Sequence, residues 1–385
     1  MNAVIEIQEK PSVGSVEKKY HTFAEPPDEL LLESGARLGP ITIAYETFGS
    51  LSAKRDNAVL VAHAFSGDSH LAGSYAGEDG KPGWWEFMFG PGKGIDTDRY
   101  FVICANILGS CMGSTEPSSP NPATGRPYGL DFPMVTIGDM VETQKRLIDH
   151  LGIDKLLAVI GGSVGGMQVL EWCVRYPQMV RAAIPLATTM RHSALAIAFN
   201  EIARQAIMAD PNWNGGDYYH GPGPDLGLAV ARMVGHVTYL SDEAMRRKFG
   251  RRLQDKNDFS FGFDADFQVE SYLRHQGSKF VRRFDANSLL YITRAADYFD
   301  LIERNPAGDP PKQPGTDTKY LVISYSSDWL YPTYQAKELV QHLKRQGCDV
   351  SFCEIEADCG HDAFLIPDER LEKLLRGFLN GISRN

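Results

Sequence analysis

Residues 156–167 read Leu156-Leu-Ala-Val-Ile-Gly-Gly-Ser-Val-Gly-Gly-Met167. The unbroken apolar run at its start suits a strand covered on both faces. Met167, Leu170 and Val174 then recur at helical spacing. Between strand and helix, Gly161-Gly162-Ser163-Val164-Gly165 fits the pattern G-x-S-x-G. A serine on such a turn occupies strained backbone, and the flanking glycines let strand and helix approach without Cβ clashes. The turn lifts the hydroxyl clear of the sheet, and the helix N-terminus supplies positive potential where an oxyanion forms. A bare G-x-S-x-G arises by chance in glycine-rich loops; the strand and helix around this one make it a nucleophile candidate.

Working outward, further strands are expected at Ile41–Phe48, Ala58–Ala62, Tyr100–Asn106, Ala182–Leu186, Lys319–Tyr325 and Val350–Ile355. Met140–Leu151 reads as a helix, with Met140, Leu147, Ile148 and Leu151 on one face and Gly152 as its stop. Alternation of strand and helix gives an α/β class with a mostly parallel sheet flanked by helices. It lapses between residues 187 and 311. There Phe199, Ile202, Ala203, Ala206 and Ile207 follow helical spacing, and Leu226, Ala229, Val230, Met233, Val234 and Val237 repeat it. Asn212–Pro224 and Asn305–Thr316 are rich in Gly and Pro and read as loops. The expected organisation is a first core part at 1–186, a helical insertion at 187–311 and a second core part at 312–385.

A nucleophilic serine needs a histidine, and the histidine an acid, in the chain order Ser…acid…His. Asp328 follows one late strand and His361 the next, so both should reach the carboxyl edge of the sheet beside Ser163. Asp358 is the rival acid, but it lies three residues from the histidine on one loop; His342 falls within a helix. The backbone N–H groups of Phe65, in His63-Ala-Phe-Ser-Gly-Asp-Ser-His70, and of Val164 are candidates for an oxyanion hole. His63, Asp68 and His70 fit no familiar zinc spacing, and no metal site is expected.

Composition bounds the partners. With 39 Lys+Arg against 49 Asp+Glu the chain carries a formal charge of −10, which disfavours nucleic acid. The start, MNAVIEIQEK, lacks the basic flank and apolar core of a signal peptide, and no apolar run reaches the ~20 residues that span a bilayer. Six cysteines without a C-x-x-C pair read as reduced thiols. These features point to a cytoplasmic protein without membrane contact.

Gly161–Trp172 (GGSVGGMQVLEW), the HAFSGDSH loop, Asn106–Pro117 (NILGSCMGSTEP), Phe267–Gly277 (FQVESYLRHQG), SDWLYP at 327–332 and GHDAFL at 360–365 together resemble the homoserine O-acetyltransferase family. The resemblance covers nearly the whole chain after the first few tens of residues. It implies an α/β-hydrolase fold with a helical lid, and acetyl transfer from acetyl-CoA, as co-substrate and without a resident cofactor, to L-homoserine on the way to methionine. It implies Ser163 as nucleophile, Asp328 and His361 as its partners, Arg232 for the substrate carboxylate and Asp362 for the amino group. A homodimer through the lid follows by family analogy. Locally, Arg232, His236 and Tyr239 share a helix face, where a guanidinium can take a carboxylate bidentately with Tyr239 beside it. An arginine there is otherwise a solvated ion pair, and His236 has no assigned role.

Two positions depart from the family pattern: Phe65 where leucine is usual, and Glu116 where glycine is usual, the latter near a loop that could border the acyl tunnel. Relatives that use succinyl-CoA need a cation near the triad, and Leu330 supplies none. The alternatives are an O-succinyltransferase, a serine O-acyltransferase, a serine hydrolase or thioesterase, and a binding protein on an inactivated hydrolase fold.

Overall fold

The computed structural model describes residues 11–76, 80–303 and 317–384. The Asn305–Thr316 loop, the 311/312 boundary and the first ten residues lie outside them. Eight strands form the main sheet: β1 (Lys19–Phe23), β2 (Ile41–Phe48), β3 (Ala58–Ala62), β4 (Phe101–Ala105), β5 (Ala158–Gly162), β6 (Ala182–Leu186), β7 (Lys319–Tyr325) and β8 (Asp349–Ile355). Their order is β8-β7-β6-β5-β3-β4-β2-β1. Every pairing from β8 to β4 is parallel; β2 runs antiparallel to both neighbours. Among the described residues there are nine α-helices, α1 (Ile137–His150), α2 (Val164–Arg175), α3 (Ala194–Met208), α4 (Asp225–Tyr239), α5 (Asp242–Lys248), α6 (Gln268–Val281), α7 (Ala286–Tyr298), α8 (Thr333–Arg345) and α9 (Glu369–Ser383).

The central strands are β-branched and apolar because both faces are covered: β3, β5 and β6 are buried at every residue. In register, Gly161 lies opposite Ala62, Gly162 opposite Leu186, and Tyr325 opposite Ile355. Parallel strands so aligned send the loops after β3, β5, β7 and β8 to one edge of the sheet, which is where α/β proteins place their ligands.

Four sequence expectations shift. β1, reading KYHTF with its outer residues exposed, adds an unforeseen edge strand. Leu156 lies outside β5, in an isolated bridge to Val180. Helix α1 begins at Ile137 because Thr136 and Asp139 form a capping box, which satisfies first-turn N–H groups. Val174 of α2 and Ile202 of α3 are exposed rather than core-facing.

The largest correction concerns α4, where half of the apolar stripe points outward. Leu226 is 77% exposed, Val230 44% and Val237 40%, whereas Leu228, Ala231, His236 and Thr238 are buried. Close packing explains the inversion. A Cβ on Gly227 would stand 2.4 Å from the Ala206 carbonyl oxygen of α3, and one on Gly277 of α6 would stand 3.0 Å from Ala229. Small residues set the distance between these helices, so the bulky apolar ones are left on the outer face.

Candidate active site

Ser163 joins β5 to α2 with φ 58° and ψ −123°, a backbone state that non-glycine residues adopt only under local compulsion. The compulsion is visible. The Ser163 N–H donates to Leu186 O (3.0 Å), and its carbonyl accepts from Thr188 Oγ1 (2.7 Å). The adjoining glycines leave no room for side chains: a Cβ on Gly165 would lie 2.1 Å from Ala62 O, and one on Gly162 would lie 2.5 Å from the Phe364 ring. The turn therefore holds the serine hydroxyl where it faces the loops of the carboxyl edge.

His361 Nε2 lies 2.9 Å from Ser163 Oγ, and its Nδ1–H donates to Asp328 Oδ2 at 2.7 Å. The other Asp328 oxygen accepts from the N–H groups of Leu330 (3.0 Å) and Tyr331 (2.9 Å), so the carboxylate is anchored from both sides. All three groups are buried: Ser163 is 6% exposed, Asp328 3% and His361 3%. Burial disfavours the imidazolium, but the neighbouring Asp328 charge outweighs it and raises the His361 pKa. A hydroxyl hydrogen-bonded to an imidazole that a carboxylate orients is equipped to become a nucleophile and to pass its proton on. Asp358, the rival acid, instead pairs with Arg247 at the surface.

Phe65 and Val164 line the same cavity as Ser163, and among the described residues neither N–H has a protein acceptor. Two unoccupied N–H groups beside a nucleophile are the makings of an oxyanion hole. The loop that carries Phe65 is held by residues the metal alternative had considered. His63 is fully buried; its Nδ1–H donates to Ala64 O (2.8 Å), and its Nε2 accepts from the Ile107 N–H (3.1 Å). His70 reaches the buried Glu46 carboxylate, which also accepts from Ser69 Oγ and the Tyr75 hydroxyl. Among the described residues no group of three or more His, Cys, Asp or Glu could hold a metal ion.

The cavity has a volume of about 70 Å³, and its walls come from both the core and the helical segment: Phe199, Tyr239 and Leu289 on one side, Leu330 and Tyr331 on the other. Tyr239 stands 6.1 Å from the His361 ring. Arg232 lies over the rings of Phe280 (4.6 Å) and Tyr239 (5.7 Å), with Nη1 3.3 Å from Ser66 Oγ. Asp362 follows His361, and its carboxyl accepts no hydrogen bond among the described residues. Burial pushes its pKa up, against the opposing pull of His361 and Arg232. Glu116 is not among the cavity-lining residues. It is buried, accepts from the Ser118 N–H (2.9 Å) and Ser288 Oγ (3.0 Å), and ties a core loop to the start of α7.

Two networks were not foreseen in the sequence. Trp172 Nε1 donates to Gln144 (2.7 Å), Gln144 to Gln168 (2.6 Å) and Gln168 to His63 O (3.3 Å), which joins α1 and α2 to the loop bearing Phe65. In the cavity wall, Tyr331 reaches His192 Nε2 (2.6 Å), His192 Nδ1 reaches Asp297 (2.9 Å), and Arg204 completes the chain at 2.7 Å. The i, i+4 spacing of Asn200 and Arg204, both bonded to Asp297, was the one sequence signal for it.

Known proteins match this architecture. The family model of the alpha/beta hydrolase fold matches residues 57–368. Homoserine O-acetyltransferase of Desulfotalea psychrophila (strain LSv54 / DSM 12343) is 72% identical over 380 residues, covering 98% of this chain and 97% of its own length. The crystal structure of homoserine O-acetyltransferase from Bacillus anthracis superposes with a TM-score of 0.86 at 31% identity, covering 95% of this chain and 98% of that one. Esterase E22 superposes with a TM-score of 0.84, also at 31% identity, covering 94% of this chain and 100% of that one.

Proposed function

Because this chain belongs to the α/β-hydrolase fold family, and within it to the homoserine O-acetyltransferases, we propose that it transfers acetyl from acetyl-CoA to the hydroxyl of L-homoserine, a step towards methionine. Ser163 attacks the thioester while His361 takes its proton, and the Phe65 and Val164 N–H groups meet the oxyanion. CoA leaves with that proton. His361 then draws the proton from the acceptor hydroxyl, which attacks the acyl-serine and regenerates Ser163. Acetyl-CoA acts as co-substrate, and the steps use serine, imidazole and carboxylate alone.

The observation that carries the acceptor half is a separation of charges. Arg232 and Asp362 both lie near Tyr239 yet form no ion pair within 4 Å among the described residues, although the Arg232 charge opposes the upward shift of the Asp362 pKa. A free α-amino acid brings the missing counter-charges, its carboxylate for Arg232 and its ammonium for Asp362. Holding the acceptor at both ends favours its hydroxyl over water as the attacking group. Leu330 in the cavity wall offers no cation to a succinyl carboxylate, which favours acetyl.

The likeness to an esterase makes hydrolysis the second reading. Partition of the acyl-enzyme tests both. With acetyl-CoA and rising L-homoserine, free acetate should give way to O-acetylhomoserine; acetate release that homoserine does not divert would leave an esterase or thioesterase. Parallel runs with succinyl-CoA and with L-serine test the donor and the acceptor.

The helical segment serves as the lid in this reading, and we assign its outer apolar face on α4 to a second copy of the chain. Leu226, Val230 and Val237 are exposed there. Sedimentation should show a homodimer that Val230→Asp dissociates. A cytoplasmic setting goes with the same reading. All six cysteines are free thiols, which a reducing compartment maintains, and no described helix is long and apolar enough to cross a membrane.

A further inference from the structure

A chain of buried ionisable groups begins at the wall of the reaction cavity, and the proposed steps do not use it. His192, in the loop after β6, lines the cavity; Asp297 of α7 and Arg204 of α3 follow it in succession. Their side chains are 4%, 5% and 3% exposed. Taking such groups out of water is costly unless each is paired, and here each is. Asp297 Oδ2 accepts from Arg204 Nη1 at 2.7 Å, and Oδ1 accepts from Asn200 Nδ2 at 2.7 Å and from His192 Nδ1 at 2.9 Å. Burial opposes ionisation of Asp297, but these hydrogen bonds outweigh it and hold its pKa below the usual carboxylate range. An ionised carboxylate only accepts, so His192 carries a proton on Nδ1. Its Nε2 lies 2.6 Å from the Tyr331 hydroxyl. A neutral ring accepts there and a charged ring donates; the hydroxyl is held in either state.

Tyr331 in turn meets the triad on more than one side. Its backbone N–H donates to Asp328 Oδ1 at 2.9 Å. Its ring stands perpendicular to the His361 imidazole, at 88° with centroids 5.0 Å apart. Its side chain lines the cavity together with Ser163. Burial, then the Asp328 charge, raises the Tyr331 pKa, so the phenol remains a neutral hydroxyl and does not compete for the proton that Ser163 gives to His361. Two His–Asp pairs therefore converge on Tyr331: His361–Asp328 from the core, and His192–Asp297 from the helical segment.

We infer that Tyr331 is a positioning residue for the triad and that the His192–Asp297 pair anchors it. A perpendicular ring contact limits the swing of the His361 imidazole only while the contacting ring is itself fixed, and His192 fixes that ring at its far end. Both half-reactions use His361, so both should depend on the anchor. The inference rests on Ser163 being the nucleophile of the proposed reaction.

A double-substitution cycle tests it, read by the rate at which a fluorophosphonate labels Ser163 and by the two half-reactions with acetyl-CoA and L-homoserine. Tyr331→Phe keeps the ring and the backbone N–H, and should slow labelling and both half-reactions about tenfold while the KM for homoserine stays unchanged. His192→Leu should cost a similar factor, and the two changes together no more than either alone, because both remove the same hydrogen bond. His192→Gln, whose side-chain oxygen can accept from the phenol, should recover part of the rate. A merely structural role would lower the melting temperature and leave these rates as they are. Undiminished labelling in Tyr331→Phe, or additive losses in the double variant, would overturn the positioning role; if His192→Leu does not fold, Tyr331→Phe decides alone. If Ser163 of the unaltered enzyme takes no label, the nucleophile reading itself fails and this one falls with it.

Discussion

The sheet edge and the helical lid handle charge in opposite ways. At the sheet edge every group of the Ser163–His361–Asp328 chain already has its partner, and Asp328 is held by two further N–H groups. On the lid, among the described residues, Arg232 meets only a hydroxyl and aromatic rings, while His236 keeps one nitrogen without a partner. The difference teaches a division of labour. Groups that act on bonds are preorganised, so the protein reorganises little as charge develops. In the proposed reading, groups that select molecules are left incomplete, so that the right ligand completes them.

Substitutions can break or sharpen this contrast. Ser163→Ala should cost about 10⁵-fold or more in kcat, with no acyl-enzyme visible by mass spectrometry after incubation with acetyl-CoA. Asp328→Asn should cost about 10⁴-fold. The sign of its pH effect is fixed: Asp328 raises the His361 pKa, so removing the charge should move the acid limb of the kcat/KM profile to lower pH. Arg232→Ala should raise the KM for homoserine roughly 100-fold while acyl-enzyme forms at its ordinary rate. An equal loss in both half-reactions would erase the distinction between preorganised core and incomplete lid.

Two smaller effects concern stability. Gly165→Ala must displace the backbone of Ala62 and should cost about 1–3 kcal/mol in denaturant unfolding. His236 titrates near 6.5 when unfolded and near 4 when folded. Between those values the unfolded chain binds the proton and the folded chain does not, so stability falls as pH drops through that window. His236→Gln should flatten this part of the stability curve, read by thermal melts from pH 7 to pH 4.

Legibility followed the physics of burial. Strands covered on both faces read as apolar runs, so β2, β3, β6 and β7 match their sequence boundaries. The elbow and its partners were legible because strand order in a parallel sheet fixes which loops meet. β1 was not, since an edge strand with exposed residues carries little hydrophobic pattern. Helix α4 misled in a more instructive way. Its apolar periodicity was real, but half of it belongs to the outer face, and glycines at the helix contacts decided which side is inward. The Tyr331–His192–Asp297 chain joins residues more than a hundred positions apart and left almost no local signal.

The chain order of the triad has a consequence for biosynthesis. Ser163 and its elbow are translated long before Asp328 and His361, and β7 and β8 can pair onto the sheet only after the lid sequence has emerged. Contacts of such sequence separation form late and slowly. On the ribosome, the nascent chain therefore carries a serine without its base, and an incomplete polypeptide has no means of spending thioesters. Activity begins only when His361 joins the fold.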